Sequence, residues 1–213
     1  MTVKRGRFIT VEGIEGVGKS SNIDVLVAHI EAAGHTVLTT REPGGTPMAE
    51  DIREMVLGHR DEFIPEIAEL LLVFAARSLN VTNVIVPALA AGTWVICDRF
   101  TDSSLAYQGA GRGLPVLTIE QLADWVHGDI WPDLTILLDA PVAVGLARIN
   151  NRGAPDRIER EQTAFFERVR AAYLAQAERE PERFAIVDTT RDLVDVKADV
   201  VALADRLLVE KEQ

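Results

Sequence analysis

The chain has 213 residues, of which 47% are hydrophobic and 26% are charged, so it can bury one sizeable core and has the composition of a folded, soluble protein. No stretch approaches the roughly 18 unbroken apolar residues of a membrane helix, and the formal net charge of −11 argues against a surface that binds nucleic acid or an anionic membrane. The single cysteine, Cys97, excludes a disulfide within one chain and lies in an apolar run, where we expect it to be buried.

Five short apolar runs alternate along the chain with longer segments of helical periodicity. Each run is too short for a helix, and most are rich in Val and Ile, as strands buried on both faces are. The predicted strands are Phe8–Glu12, 36–41, Trp94–Asp98, Leu134–Asp139 and Phe184–Asp188. The alternation predicts a single α/β domain over residues 1–213, with a five-stranded parallel sheet flanked by helices.

The segments between these runs carry signals for where helices begin and end. Gly34, Gly58 and Gly92 each follow a helical pattern and predict its end. Thr46 followed by Pro47 predicts a helix start, because threonine caps a first turn and proline fits its first position. The other predicted signals are a capping-box-like segment at 118–121, Pro141, and a charged helix over 163–180 before Pro181.

The longest helical stretch covers residues 65–91 and has more apolar residues than one buried stripe requires. We expect part of this surface to pack on the sheet. The excess favours contact with a second copy of the chain, which makes 65–91 the candidate interface of a homodimer.

The segment Gly-Ile-Glu-Gly-Val-Gly-Lys-Ser at 13–20 matches the phosphate-binding P-loop at every fixed position. It follows the first predicted strand and opens a helix, so backbone N–H groups and the helix N-terminus converge on one anion site. We expect Lys19 to reach the β- and γ-phosphates of ATP and Ser20 to coordinate Mg²⁺. The expected donor-binding residues of this segment are Gly13, Ile14, Glu15, Gly16, Val17, Gly18, Lys19, Ser20 and Ser21.

The P-loop alone leaves the reaction open, since GTPases, ATPase motors and small-molecule kinases all use it. The sequence has no Asn-Lys-x-Asp motif of the kind that reads guanine, which argues against a GTPase. The third predicted strand ends at Asp98 and is followed by Arg99. Because the carboxyl ends of parallel strands line the ligand crevice, Asp98 is a candidate for assisting the metal and Arg99 for binding a phosphate.

Several further motifs occur in order along the chain. They are Phe-Ile-Thr-Val-Glu-Gly-Ile-Glu-Gly-Val-Gly-Lys-Ser (8–20), Arg-Glu-Pro-Gly-Gly-Thr (41–46), Asp-Arg-Phe (98–100), Tyr-Gln-Gly-Ala-Gly-Arg-Gly (107–113), Pro-Asp-Leu-Thr-Ile-Leu-Leu-Asp (132–139) and Asp-Arg-Ile-Glu (156–159). In this order they resemble the signatures of bacterial thymidylate kinases, over essentially the whole chain from Phe8 onward. The resemblance implies a P-loop NTPase fold, a homodimer, and phosphoryl transfer from ATP to thymidine monophosphate for dTTP synthesis. We expect a cytoplasmic protein.

The resemblance also implies roles for individual residues. Arg99 would clamp the acceptor phosphate, and Glu15 would orient the acceptor near its sugar and phosphate. The other implied acceptor contacts are Pro43, Arg53, Arg77, Ser104, Tyr107 and Gln108. Arg191, after the last strand, lies where the family contacts the adenine of ATP.

A thymine ring has a flat apolar face and polar edges, which calls for one stacking surface and a few oriented hydrogen-bonding groups. Phe74, one helical turn before Arg77, is the candidate stacking residue, and an ordinary core position is its alternative. The spacing from Phe74 to Arg77 is shorter than the commonest form in the family. Phe100 is a second departure, because the family usually has tyrosine or histidine after Asp-Arg.

Arg148, Arg152 and Arg157 cluster around Gly153 and Pro155, which predicts a segment that bends rather than a continuous helix. In this order the segment resembles the lid of the family, at about 148–160, in the subtype whose lid supplies the catalytic arginine. Arg152 and Arg157 are the candidates for stabilising the charge on the transferred phosphoryl group. Solvated charges on a surface loop are the alternative.

Two rival functions remain open. A kinase could act on another nucleoside monophosphate or on a deoxynucleoside. A P-loop switch or assembly ATPase would instead hydrolyse ATP without an acceptor, and it should not need an arginine-bearing lid after the fourth strand.

Overall fold

The computed structural model describes residues 4–149 and 156–209. A five-stranded parallel sheet has the strand order β2-β3-β1-β4-β5. The strands are β1 (Phe8–Glu12), β2 (Val37–Arg41), β3 (Trp94–Asp98), β4 (Leu134–Asp139) and β5 (Phe184–Asp188). The predicted α/β fold is therefore confirmed, and β2 begins one residue later than expected.

The helices surround this sheet. They are α1 (Lys19–Ala32), α2 (Pro47–Leu57), α3 (Glu66–Asn80), α4 (Val86–Ala90), α5 (Thr101–Ser104), α6 (Val116–His127), α7 (Val142–Ile149), α8 (Thr163–Arg179) and α9 (Leu193–Val209). Two π-helical segments, Val81–Ile85 and Leu105–Gly111, continue α3 and α5. Thr46 caps α2 as predicted, because its side-chain oxygen accepts a hydrogen bond from the N–H of Ala49 at 3.2 Å.

Side chains that alternate along the strands fill one core on each face of the sheet. Ile9 and Val11 of β1 pack in a core with residues of α1, α8 and α9. Phe8 packs on the opposite face with Val81, and Cys97 belongs to the same core. The predicted buried position of the Cys97 thiol is confirmed.

The stretch predicted as one helix over 65–91 is helical from Glu66 to Ala90 but changes pitch at Val81–Ile85. There the N–H of Val86 bonds the carbonyl of Val81, five residues earlier. The wider turn comes just before Pro87, whose ring would crowd a regular preceding turn. Within the described part of the chain, Glu66–Ala90 alone is long and apolar enough to span a membrane, yet 44% of its most apolar window is buried, as in a core helix.

The helix start predicted at 118–121 is wrong. Helix α6 begins two residues before Thr118, at Val116, and Pro115 precedes it with φ −61° and ψ 127°. The N–H of Thr118 already bonds the carbonyl of Pro115 at 3.0 Å, so Thr118 lies inside the first turn. Pro115 determines the start, since its fixed φ suits a helix entry and it needs no N–H partner.

The carboxyl ends of β1, β2 and β3 meet at one edge of the sheet. Asp98 of β3 pairs in register with Val11 of β1 and with Arg41 of β2. The P-loop follows β1, Glu42 follows β2 and Arg99 follows β3. Segments far apart in sequence therefore converge on one crevice.

Candidate active site

A cavity of about 290 Å³ opens at this edge of the sheet. It lies between the P-loop and residues of α2, α3 and the segment after β3. The predicted site residues that line it are Glu15, Gly16, Gly18, Lys19, Ser20, Pro43, Arg53, Arg77, Asp98, Arg99, Ser104, Tyr107 and Gln108. One cavity thus joins the residues that the sequence assigned to the donor with those assigned to the acceptor.

The P-loop wraps tightly because its glycines adopt backbone conformations that other residues rarely adopt. Gly16 has φ 76°, and a Cβ at this position would lie 2.1 Å from the carbonyl oxygen of Gly145. Lys19 donates to the carbonyl oxygens of Gly13 at 3.1 Å and Ile14 at 3.0 Å. The ammonium group is therefore held within the loop.

Lys19 and Arg99 share a single acceptor. Arg99 Nη1 donates to the carbonyl oxygen of Gly13 at 3.0 Å, the same atom that accepts from Lys19. Burial, followed by the positive charge of Arg99, lowers the pKa of Lys19 to about 8. An anion bound here would face two cations.

Glu15 and Tyr107 orient Arg99, which itself has the left-handed φ of 72° that few non-glycine residues adopt. Arg99 Nη2 donates to Glu15 Oε1 at 2.8 Å, and the guanidinium carbon lies 4.8 Å from the centre of the Tyr107 ring. The Tyr107 hydroxyl lies 2.7 Å and 2.8 Å from the two Glu15 oxygens, to which it donates. The three side chains form a closed cluster on the cavity wall.

A second, buried group also contacts Arg99. Arg99 Nη1 donates to the hydroxyl oxygen of Tyr173, from α8, at 3.2 Å, and Tyr173 donates to Glu12 Oε2 at 2.8 Å. Ser103 donates to the same Glu12 oxygen at 2.6 Å. Burial, and then the charge of Asp102, raise the pKa of Glu12 to about 7. Sequence reasoning missed Glu12, Ser103 and Tyr173, because no local pattern links a strand end to a helix much later in the chain.

Arg77 of α3 is 1% exposed and is fixed by several acceptors. Its Nε donates to Glu42 Oε2 at 2.6 Å, while Nη2 donates to the Phe100 carbonyl oxygen at 3.0 Å and to Ser104 Oγ at 3.1 Å. Its Nη1 is buried and lacks a hydrogen-bond partner within the described ranges. Since a buried donor without a partner is costly, Nη1 is suited to bind a ligand in the cavity that Arg77 lines.

Phe74 lies away from the cavity. Its ring is 2% exposed and packs in a core shared by α3 and α6, with the Arg77 guanidinium carbon 4.5 Å from its centre. Val73, one residue earlier, lines the cavity instead, as does Phe100. The placement matches the core alternative for Phe74, and the ring supports Arg77 through a cation–π contact.

The remaining wall is formed by the segment after β2 and by α2. Arg53 of α2 donates from Nη1 to the Pro43 carbonyl oxygen at 2.9 Å. Both residues were expected along the acceptor pocket, and both line the cavity. The wall therefore combines an apolar ring with a cation.

Glu69 of α3 connects two predicted site residues and was not identified from the sequence. Gln108 Nε2 donates to Glu69 Oε1 at 2.9 Å, and Arg157 Nη2 donates to Oε2 at 2.5 Å. Arg112 also pairs with Oε2, at 3.2 Å. Burial alone would raise the pKa of Glu69, but Arg112, Gln108 and Arg157 hold that pKa below its ordinary value. From the sequence, an acid in the first turn of a helix indicates only a favourable interaction with the helix dipole.

The two predicted lid arginines have different outcomes. Arg152 lies outside the described residues. Arg157 donates from Nε to the Val56 carbonyl oxygen at 2.7 Å and from its backbone N–H to the Leu57 carbonyl oxygen at 3.1 Å. In the part of the chain that the structure describes, no hydrogen bond or ion pair joins Arg157 to the P-loop.

A second cavity, of about 420 Å³, adjoins the first through the P-loop glycines. Its lining includes Gly16, Gly18, Ser21, Arg148, Arg191 and Leu193. Arg191 pairs with Asp199 of α9. The predicted donor residues Ser21 and Arg191 thus meet in one cavity beside the phosphate loop.

Ser20 and Asp98 are the oxygen ligands predicted for Mg²⁺, and both line the first cavity. Asp98 Oδ1 is buried and has no hydrogen-bond partner among residues 4–149 and 156–209. Over those same ranges, no group of three or more His, Cys, Asp or Glu side chains could hold a metal. A sparse oxygen set fits Mg²⁺, which is commonly bound by one or two side chains, substrate phosphates and water.

Comparisons with known proteins agree with this fold. A model of the thymidylate kinase family matches residues 11–200. The chain is 53% identical over 203 residues to the thymidylate kinase of Methylococcus capsulatus, covering 95% of this chain and 97% of that protein. It is also 53% identical to the thymidylate kinase of Pseudomonas syringae pv. tomato, with the same coverage. The crystal structure of thymidylate kinase from Ehrlichia chaffeensis superposes with a TM-score of 0.76 at 31% identity, covering 94% of this chain and 99% of that one.

Proposed function

The chain belongs to the thymidylate kinase family, and we propose from this premise how its cavity carries out the reaction. The enzyme transfers the terminal phosphoryl group of ATP to thymidine monophosphate, which gives thymidine diphosphate and ADP. The observation that carries the proposed arrangement is the carbonyl oxygen of Gly13, to which Lys19 and Arg99 both donate. Lys19 belongs to the P-loop and Arg99 to the acceptor side, so the transferred group would sit between them.

On the donor side, the P-loop N–H groups and the N-terminus of α1 would bind the phosphates of ATP. Lys19 would move from the carbonyls of Gly13 and Ile14 to the β- and γ-phosphates. The adenine would occupy the second cavity, beside Ser21 and Arg191. This division follows from the position of that cavity next to the phosphate loop.

On the acceptor side, Arg99 would hold the phosphate of thymidine monophosphate while Glu15 orients it. A phosphate oxygen of the acceptor attacks the γ-phosphorus as the bond to the β–γ bridging oxygen breaks, so no covalent enzyme intermediate forms. The nucleophile is already an anion near neutral pH, and a strong general base is therefore unnecessary. The charged hydrogen bond between Arg99 and Glu15 supports this arrangement, since it fixes the guanidinium on the cavity wall.

The thymine ring would bind between the apolar side chains of the first cavity. Val73 and Phe100 provide apolar surface there, and Pro43 and Arg53 form the remaining wall. Arg77 Nη1 would donate to a carbonyl at the edge of the base, which would satisfy its buried donor. The residues proposed to surround base and ribose are Arg77, Ser104, Tyr107 and Gln108.

Ser20 and Asp98 would hold Mg²⁺. When bound, the ion would neutralise charge on the β- and γ-phosphate oxygens. The buried Asp98 Oδ1 without a described partner supports this role.

We place the enzyme in the subtype whose lid, at about 148–160, supplies the catalytic arginine. The support is a resemblance in the sequence: a glutamate, Glu15, within the P-loop combined with Arg152 in the later lid segment resembles that subtype. Arg157, the other candidate from the sequence, bonds Val56 and Glu69 instead, so Arg152 is the arginine that we propose for this role.

Residues 1–213 are proposed to act as one domain within a cytoplasmic homodimer, without a nucleic-acid or membrane partner. Ile67 and Leu71 of α3 are 48% and 52% exposed, and Trp125 of the neighbouring α6 is 87% exposed. Exposed apolar side chains on adjacent helices suit a protein interface. Light scattering should give the mass of two chains, and a monomer at micromolar concentration would contradict the dimer.

A panel of acceptors tests the proposed function. ADP formation should be fastest with thymidine monophosphate and should fall at least about tenfold with cytidine or guanosine monophosphate. A clear preference for either of those acceptors would contradict the assignment. ATP hydrolysis at a comparable rate without any acceptor would favour the switch or assembly ATPase instead.

A further inference from the structure

Residues 156–161, which overlap the C-terminal end of the proposed lid, are attached to the acceptor side of the protein; we refer to them as the lid foot. Arg157 bonds the carbonyl oxygens of Val56 and Leu57, the last two residues of α2. The last carbonyls of a helix have no partner within it and form the negative end of its dipole. The guanidinium of Arg157 suits the Val56 carbonyl for this reason, while the backbone N–H of Arg157 satisfies that of Leu57. Glu161 accepts from Arg112 Nη1 at 2.6 Å at the other end of the lid foot.

Glu69 is the buried centre of this attachment. Its carboxylate is 1% exposed in the side chain and accepts from Arg157 Nη2 on one oxygen and from Gln108 Nε2 on the other. A charged hydrogen bond removed from water holds both partners more firmly than an exposed one. Arg112 pairs with the same carboxylate, which keeps Glu69 compensated when Arg157 is lost.

The lid foot forms part of the cavity wall. Asp156, Ile158 and Glu159 line the first cavity. Asp156 Oδ1 accepts from the N–H groups of Ile158 and Glu159, each at 2.8 Å, which makes the lid foot a stiff turn. The contacts of Arg157 with Val56 and Glu69 therefore also determine the position of this part of the cavity wall.

We infer that Glu69 and Arg157 form a latch that closes the lid foot over the acceptor, with Glu69 as a positioning residue between Gln108 and the lid. The inference rests on the proposed binding of the acceptor in the first cavity. Arg157 then acts on acceptor affinity, and the stabilisation of the transferred phosphoryl group falls to other cations. A base that contacts Gln108 holds the Gln108 amide in its hydrogen bond to Glu69. Glu69 in turn holds Arg157, so binding of the base stabilises the position of the lid foot.

The first test separates a latch from a catalytic arginine. Arg157→Ala should raise the KM for thymidine monophosphate roughly tenfold while kcat stays within about threefold of the parent value. Arg157→Lys should recover part of the lost affinity, since an ammonium can still pair with Glu69 but lacks the planar fork that also bonds the Val56 carbonyl oxygen. A fall in kcat of more than about tenfold, or a KM within about twofold of the parent, overturns the proposal.

The second test asks whether the two residues act together. Glu69→Gln keeps the shape of the side chain and should raise the same KM, and the double variant with Arg157→Ala should be no worse than the more affected single variant. Independent effects that multiply in the double variant overturn the latch. Arg160→Ala serves as the matched control. Arg160 is a cation of the same segment, but it contacts His59 and not Glu69, so its loss should leave the KM for thymidine monophosphate unchanged.

The parent enzyme distinguishes this inference from the proposed function. Absence of activity with thymidine monophosphate in the parent would reject the function itself. Normal parent activity with unaltered KM in Arg157→Ala would reject the latch alone. Circular dichroism melting of each variant confirms that the compared proteins are folded.

Discussion

The donor and acceptor sides of the cavity are built in different ways. On the donor side, Lys19 bonds carbonyls only five and six residues away, inside one continuous loop. On the acceptor side, Arg77 bonds Glu42 and Ser104, which are 35 and 27 positions away in the sequence. A local loop keeps its geometry through backbone conformation, whereas the acceptor pocket depends on buried side-chain pairs that each need a specific partner.

The two sides meet at the carbonyl oxygen of Gly13, where Lys19 and Arg99 converge. This contact predicts that loss of either cation lowers kcat, and that the two losses differ in their effect on ATP hydrolysis without acceptor. Lys19→Ala and Arg99→Ala should each reduce kcat by about a hundredfold or more. Steady-state assays with thymidine monophosphate measure this loss.

The two variants should differ in the rate at which they hydrolyse ATP without an acceptor. Lys19→Ala should also suppress the slow release of phosphate from ATP alone, while Arg99→Ala should reduce this release much less, because Arg99 mainly holds the acceptor phosphate. Arg179→Ala, at an exposed arginine that does not line the cavity, is the control and should keep full activity. A near-normal kcat in a folded Lys19→Ala or Arg99→Ala protein would contradict the assignment of Lys19 to the donor side and Arg99 to the acceptor side.

The dependence of the acceptor side on buried pairs is tested by Glu42→Gln. Glu42 and Arg77 are 2% and 1% exposed, so the amide leaves a buried guanidinium without its counter-charge. We expect unfolding free energy to fall by about 2 kcal/mol, because the amide oxygen can still accept one hydrogen bond. Urea denaturation at pH 7 measures the change.

Glu50→Gln is the matched comparison, since Glu50 pairs with Arg41 at a site where the side chains are 37% and 54% exposed. Water screens that pair, and its loss should cost less than about 1 kcal/mol. Equal costs at the two sites would remove the contrast between a buried acceptor network and the surface.

The sequence predicts most of the fold because strand and helix signals are local. The five strands follow from short apolar runs, and Thr46 with Pro47 correctly marks the start of α2. The predicted start of α6 is wrong because Thr118 fits a capping pattern, whereas Pro115, directly before the helix, determines where it begins. Local signals fail where two of them compete.

The site is predicted less evenly. The P-loop is recognisable from its own residues, and the order of motifs indicates Arg99, Tyr107 and Gln108. Glu12, Glu69 and Tyr173 could not be found in this way, because their importance comes from contacts such as Tyr173 to Glu12, 161 positions apart. Such contacts depend on the tertiary fold, which periodicity does not describe.

The donor side should also carry a pH dependence that its loop geometry creates. Because burial and Arg99 lower the pKa of Lys19 to about 8, the ammonium form predominates below that pH and is lost above it. Phosphate binding needs the charged form. The Kd for ATP should therefore rise roughly tenfold between pH 7 and pH 9, as the charged fraction falls.

Calorimetric titration across that range tests the expectation. Lys19→Arg is the control, since a guanidinium stays protonated and its Kd should be flat over the same interval, whatever its absolute value. A flat profile in the parent would show that Lys19 keeps its charge in the free enzyme and that Arg99 does not perturb it.

The smallest expected effect concerns the base of the acceptor. Phe74 packs in the core between α3 and α6, while Val73 lines the cavity, so the ring can influence the base only through Arg77. Phe74→Leu should therefore change the KM for thymidine monophosphate by less than about threefold, and Val73→Ala should change it more, because the wall itself recedes. Both variants need melting curves, since Phe74→Leu leaves a small cavity in the core. A KM increase above about tenfold in a stable Phe74→Leu protein would mean that the ring turns into the pocket when the base binds, and the acceptor side would then be less fixed than its buried pairs imply.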